Sequence, residues 1–404
     1  MNKRFVAIII AGFFTIFTGF AVRYSYGMLL PEMLREMAIS KTQAGMIYSS
    51  FFITYTVFSP LLGFLGDRYD VRPILILFIA ILGIGAFLMS FSSSVLNASL
   101  FFTLAGIGHS ACWAPVVALI NRWVSEKRIG TALAFTEMGS GLGIAVWSVV
   151  IPLLIGAYNW RTAWVSLGIL AFLVAGMNFQ LVRNHPDVKF IPQGQMTGNP
   201  AIDPIRVTYS RILYDFKFWL IGFSYLFIGF STIMVFTFLS AFANLDLMLP
   251  YEAAARLITV IAIVGMVGKL TLGPLSDHVG RIRVLMLCQA FMAVGSLGMA
   301  YFQDFFTLSL CAAVFGLGYG AVWPVYAASA SDFFPRKLAG SVIGLWAIYL
   351  GVGSIISPII GGWTIDTTAS YTWAFILAMT SATMSLLLLI PLTRSSSSGS
   401  SGNR

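Results

Sequence analysis

Apolar residues run through this chain in stretches of about 20, separated by short polar segments. A helix needs about 20 mostly apolar residues to cross roughly 30 Å of hydrocarbon, and a helix satisfies every backbone polar group within its own segment. The pattern predicts twelve such helices, over residues 5–30, 43–64, 73–94, 97–120, 130–154, 162–182, 216–241, 253–273, 283–302, 305–329, 338–362 and 372–392. The longest polar stretch, 183–215, contains "NHPDV" and "PQGQMTGNP" and reads as a linker between two sets of six spans. The expected architecture is an all-α polytopic membrane protein. A six-helix bundle over 1–182 is followed by a cytoplasmic linker over 183–215, a second six-helix bundle over 216–392, and a flexible, low-complexity tail over 393–404.

Composition agrees: of 404 residues, 58% are hydrophobic and only 10% charged. With the N-terminus in the cytoplasm, the 24 Lys and Arg fall on cytoplasmic segments, except for Arg35, Lys41, Arg161 and Arg256 outside and Arg23 and Lys269 within spans. The positive-inside rule therefore sets both termini in the cytoplasm of a multi-pass protein of the cell (inner) membrane. The net charge of +9 is then a topology signal and implies no nucleic-acid partner. "MNKR" opens a first apolar run too long for a cleavable signal, and that run is expected to remain as the first span. Cys112, Cys288 and Cys311 all fall inside spans with no metal-ligand spacing, so they read as packing residues, with no metal and no cofactor expected.

The two halves share a register. "GFLGDRYDVR" at 63 recurs as "GPLSDHVGRIR" at 273, and "GIGHSACW" at Gly106 recurs as "GLGYGAVW" at Gly316, both 210 residues on. Gly130, Gly141 and Gly143 fall on Gly340, Gly351 and Gly353 under the same shift. These repeats resemble the major facilitator superfamily, whose two pseudo-symmetric six-helix bundles hold substrate near the midplane between them. The first copy is similar to that superfamily's loop between helices 2 and 3, G-x-x-x-D-R-x-G-R-R/K, with Asp70 and Val71 in place of Gly and Arg. The second has His278 in place of Arg. The resemblance implies gating loops at Asp67, Arg68 and Arg72 and at Asp277 and Arg281, where carboxylates accept charge-assisted hydrogen bonds at the cytoplasmic face.

Four charged or titratable residues fall well inside the spans, away from their ends: Arg23, His109, Glu137 and Lys269. A charge at the centre of a spanning helix costs at least about 2.5 to 3.5 kcal/mol, so it faces a cavity or a partner. Lys269 precedes Asp277 by eight residues, or roughly 12 Å along a helix, which sets it near the midplane. Under the shift of 210, Lys269 falls on Ser59 and Arg23 on Ile233, so neither cation belongs to the repeat. Both are candidate anion ligands, one from each half. The structural alternatives are snorkelling or pairing with Glu137 for Lys269, and an ion pair or carbonyl contacts for Arg23. Glu137 either pairs with a cation or titrates and couples transport to protons. His109 either titrates or lines the cavity, as its counterpart Tyr319 would. The glycines of "GSGLG" and "GLGYG" lie in apolar helices without a preceding strand, so they signal close helix packing, not a nucleotide. No enzyme motif is present.

Within the superfamily, "SDFFPRKLAGSVIGLW" and "GGWTIDTTASYTWAFILA" are similar to the oxalate:formate antiporter and monocarboxylate transporter group. In that group a cation in helix 8 pairs with the substrate carboxylate, and Lys269 in "GKLTLGPLSD" occupies its position in place of the usual Arg. "AVRYSYGMLLPEM" is similar to helix 1 of organic phosphate and organic anion transporters, where an Arg at the Arg23 position contacts the anion. The helix 7 Arg of the phosphate group is absent, and Phe102 stands at the helix 4 Arg position of proton-driven drug exporters. The resemblance implies a monomeric secondary transporter of a small organic anion, a monocarboxylate first, working by alternating access with protons or a counter-anion. Arg23, Lys269, Tyr24, Tyr26, His109, Tyr319 and Trp323 are the expected substrate contacts. Glu137 and His109 are the proton-coupling candidates. An organic phosphate transporter and a non-transporting membrane sensor on the same scaffold are the alternatives.

Overall fold

The computed structural model describes residues 3–124, 126–183, 212–334 and 339–395, apart from the side chains of residues 3, 67–68, 126–130, 339–341 and 394–395. Most of the expected linker and tail lies outside the described residues. The described chain forms α1 (Lys3–Met37), α2 (Lys41–Arg68), α3 (Val71–Met89), α4 (Val95–His109), α5 (Ala114–Trp123), α6 (Glu126–Ala157), α7 (Trp160–Leu181) and α8 (Phe216–Ala241). One π-helical turn, Phe242–Asp246, extends α8. The chain continues through α9 (Tyr251–Val279), α10 (Arg281–Tyr301), α11 (Phe305–Phe333), α12 (Ala339–Thr368) and α13 (Thr372–Ser395). Among the described residues, twelve spans are long and apolar enough to cross a membrane. The protein is a multi-pass, all-helical membrane protein.

Polar residues at the span boundaries start the helices. Ser40 and Gln43 form a reciprocal cap on α2, with Gln43 N 3.1 Å from Ser40 Oγ and Ser40 N 3.0 Å from Gln43 Oε1. Asn159 and Asp215 cap α7 and α8 one way, their side chains accepting from Thr162 N and Lys217 N.

One expectation is corrected. The fourth span is two helices, α4 and α5, joined by a tight turn in which Cys112 N donates to His109 O at 2.9 Å. Pro115, in the first turn of α5, has no N–H with which to continue the ladder of α4. Yet α11 carries Pro324 and stays helical, so the proline permits this break without dictating it.

The halves repeat in packing as well as in sequence. In the first, α1 lies on α6, α2 on α4, and α3 on α4 and α7; in the second, α8 lies on α12, α9 on α11, and α10 on α11 and α13. Glycine carries the closest of these contacts. A Cβ on Gly106 would sit 2.3 Å from Phe51 O, and one on Gly316 would sit 2.7 Å from Ile261 O. Phe51 and Ile261 are themselves 210 apart, so each half makes the same backbone approach. Between the halves, α2 packs on α12, α6 on α9, and α1 on α8.

Candidate functional site

The face where α1 begins is called the near face below, and the face of the α1–α2 connection the far face. At the far face the halves are joined. The Asp366 carboxylate of α12 accepts from Lys41 N at 3.1 Å, Thr42 N at 2.8 Å and the Thr42 hydroxyl at 2.6 Å, all in the first turn of α2. Arg35 donates to Asn244 Oδ1 at 2.9 Å, and the Tyr251 hydroxyl donates to Met28 O. Deeper, on the α2–α12 seam the Ser49 hydroxyl donates to Ile355 O at 2.6 Å, and on the α6–α9 seam the Ser148 and Thr259 hydroxyls lie 2.6 Å apart.

Toward the near face the α6–α9 seam opens into a cavity of about 360 Å³, walled by Trp113, Leu133, Met138, Met266, Leu270 and Pro274. Its ionisable lining residues among those described are Glu137 and Lys269. They pair across the halves, with Lys269 Nζ 3.1 Å from Glu137 Oε1. The Ser140 hydroxyl stands 3.2 Å from the same carboxylate oxygen and 3.4 Å from Nζ. Glu137 Oε2 is buried and has no hydrogen-bond partner. A narrow extension of about 20 Å³ adjoins the cavity at this pair and is lined by Phe20, Ser140, Tyr319 and Trp323.

Beyond the extension, the Tyr319 hydroxyl donates to the Tyr24 hydroxyl at 3.2 Å, again joining the halves. Trp323 backs Tyr319, with ring centroids 6.0 Å apart. Arg23 lies behind this pair and is only 6% exposed. Its guanidinium carbon is 4.8 Å from the Phe52 ring centroid, 5.2 Å from that of Tyr24 and 5.5 Å from that of Tyr55. These aromatic faces attract the cation, but among the described residues no carboxylate pairs with it, and its Nε has no partner. His109 is buried beside it, 5.3 Å from Tyr55 and 5.6 Å from Phe20, with Nδ1 unpartnered.

The structure thus gathers Lys269, Glu137, Tyr319, Trp323, Tyr24, Arg23 and His109 into one region between the halves. Tyr26 is not among them. Its ring stacks 4.7 Å from Tyr48 and 5.1 Å from Phe102, and its hydroxyl donates to Ala44 O at 2.6 Å, inside the core of the first half.

At the near face, Arg281 pairs with Asp277 at 3.1 Å and with Asp332 at 2.9 Å. Arg72 donates to Phe179 O at 2.7 Å. The side chains of Asp67 and Arg68 lie outside the described residues. Asp70, where the loop pattern has Gly, caps α3 through Arg72 N at 2.8 Å. Its counterpart Gly280 has φ 101°, a conformation suited to glycine. The two loop copies therefore start their next helix by different means. Ser140, Asp366, Ser49 and the Ser148–Thr259 pair were not marked by any sequence motif, since small hydroxyls and an acid near a span end carry no signal of their own.

The sequence model described as Major Facilitator Superfamily matches residues 12–270 and, in a second match, 221–404. The chain belongs to the major facilitator superfamily. It is similar to monocarboxylate transporter 12-B of Danio rerio, at 27% identity over 88% of this chain and 80% of that protein. It is also similar to the hexuronate transporter of Bacillus subtilis (strain 168), at 23% identity over 92% of this chain and 90% of that one. Among solved structures, this superfamily member resembles a bacterial homologue of the human lysosomal transporter Spinster in its inward-facing, unoccupied conformation. The TM-score is 0.76, at 14% identity over 97% of this chain and 96% of that one.

Proposed function

We propose that this superfamily member is a secondary transporter that carries a small organic anion, a monocarboxylate first, by alternating access. The observation that carries the reading is the Lys269–Glu137 pair, a cation from one half and an acid from the other inside the cavity between them. The relatives named for monocarboxylates and for hexuronate support an organic anion as the substrate class. The basic near-face loops support a cytoplasmic position for that face, at the inner membrane, and on that reading joined halves at the far face and a cavity toward the near face correspond to an inward-facing state.

The chemistry follows from competition for one ammonium. Glu137 holds Lys269 while the site is empty. An entering carboxylate takes its place, which leaves an unpaired acid in a largely apolar cavity unless Glu137 gains a proton. Protonation of Glu137 and binding of the anion therefore favour each other, which is proton symport. Arg23 is a second cation, reached once the Tyr24–Tyr319 contact parts, and draws the anion toward the midplane. His109 lines this inner chamber.

The test is uptake of labelled monocarboxylate into proteoliposomes. Lys269→Met is expected to lower the rate about 10- to 150-fold, as loss of a charge-assisted contact predicts, with partial recovery in Lys269→Arg. Glu137→Gln is expected to abolish the response to an imposed pH gradient. Wild-type uptake in Lys269→Met would refute the assignment.

A further inference from the structure

We propose that the substrate is a monocarboxylate with an apolar body, its carboxylate held by Lys269 and Ser140 and its body filling the cavity below them. This rests on the anion-transport reading above and names the substrate class within it.

The site is polar at one end only. Around the Lys269–Glu137 pair stand the Ser140 hydroxyl and, in the narrow extension, Tyr319. That extension, about 20 Å³, is little larger than one water, so the body of a substrate does not enter it. The wide chamber below is about 360 Å³, at the lower end of the range for small-molecule sites. Its wall is made of Leu133, Ala134, Met138, Met266, Leu270 and Pro274. Beyond Glu137 and Lys269, the described lining residue with a polar side-chain group is Trp113.

That inventory selects among anions. A sugar acid would bring a ring of hydroxyls against methyl and thioether groups, and most would lose their hydrogen bonds to water without replacement. A dicarboxylate would set its second charge in the same apolar wall, because Arg23 lies on the other side of the Tyr24–Tyr319 contact. A single carboxylate on an aromatic or branched aliphatic body leaves nothing unpaired and removes apolar surface from water.

The experiment measures counterflow of labelled acetate, phenylacetate, glucuronate and succinate separately in proteoliposomes of the full chain. Phenylacetate is expected to half-saturate at a concentration about tenfold or more below acetate, with glucuronate and succinate weaker than acetate. Ala134→Ser and, independently, Met138→Gln are expected to narrow the phenylacetate-to-acetate ratio by about fivefold, since each adds a hydroxyl or amide to the wall. Glucuronate or succinate moving as well as phenylacetate overturns the apolar-body assignment and leaves anion transport standing. Absence of counterflow for all four, or full counterflow in Lys269→Met, overturns both. A ratio unmoved in both wall variants overturns the placement of the body in this chamber.

Discussion

Asp366 reaches from α12 to the first turn of α2 and accepts three hydrogen bonds there, so it is made use of only while the far face is shut. Replacing it in Asp366→Asn removes the charge and one acceptor oxygen. A carboxylate at an exposed helix N-terminus contributes about 0.3 to 1 kcal/mol, and a net hydrogen bond about 0.5 to 1.5 kcal/mol. Asp366 is solvent-exposed, so the high end of each range does not apply, and with the two hydrogen bonds that one carboxylate oxygen accepts from Thr42 the loss comes to about 1 to 2 kcal/mol. Because the open state never makes these contacts, the whole loss falls on the closed state. The ratio of open to closed therefore rises about 5- to 30-fold.

Ser49 reports that ratio. It lies on the same seam, is 1% exposed and faces Ile355, and Cys112, Cys288 and Cys311 are buried and contribute little background. In a Ser49→Cys background, the rate of labelling by a charged maleimide added from the far side should rise by the same 5- to 30-fold factor on adding Asp366→Asn. A change of less than about twofold would refute the idea that this carboxylate holds the face shut.

Two further outcomes follow from packing and capping. Gly106→Ala puts a methyl 2.3 Å from Phe51 O, and Gly316→Ala does the same 2.7 Å from Ile261 O; each should cost about 1 to 3 kcal/mol through forced helix separation, with Gly106→Ala the worse, read as a lower melting temperature in detergent. Asp304 caps α11, and the Thr307 hydroxyl and N–H hold its carboxyl below the usual carboxylate range. A depressed folded pKa stabilises the fold above the unfolded value of about 3.9, and that stabilisation is lost as pH falls through the folded value. Asp304→Ala should therefore lower the melting temperature at pH 7 but not near pH 2, and an equal loss at both would refute the role of the charge.

Much of the fold was legible because hydrocarbon imposes a length and a polarity on every span, and because duplication left two agreeing offsets of 210. The break between α4 and α5 was not, since Pro115 and Pro324 read alike while only one accompanies a turn. At the site, the pairing of Lys269 with Glu137 was among the readings open from sequence, and the structure realises it.

Tyr26 shows a reading that helical phase alone could have improved. At about 100° per residue, Tyr24 and Tyr26 are separated by about 200°, so they cannot face one cavity. Tyr24 meets Tyr319 of the other half, and Tyr26 accordingly turns inward to Tyr48 and Phe102. Asp366 is the opposite case, because no property of its own neighbourhood sets it apart from an ordinary solvated acid near a span end. Its meaning comes from Thr42, 324 residues away in sequence, whose N–H is left free at a helix start. Contacts between the halves are what alternating access makes and breaks, and they are set by how two bundles meet. The repeat explains each bundle, and the residues it leaves over, among them Arg23, Glu137, Lys269 and Asp366, are the ones the proposed cycle would use.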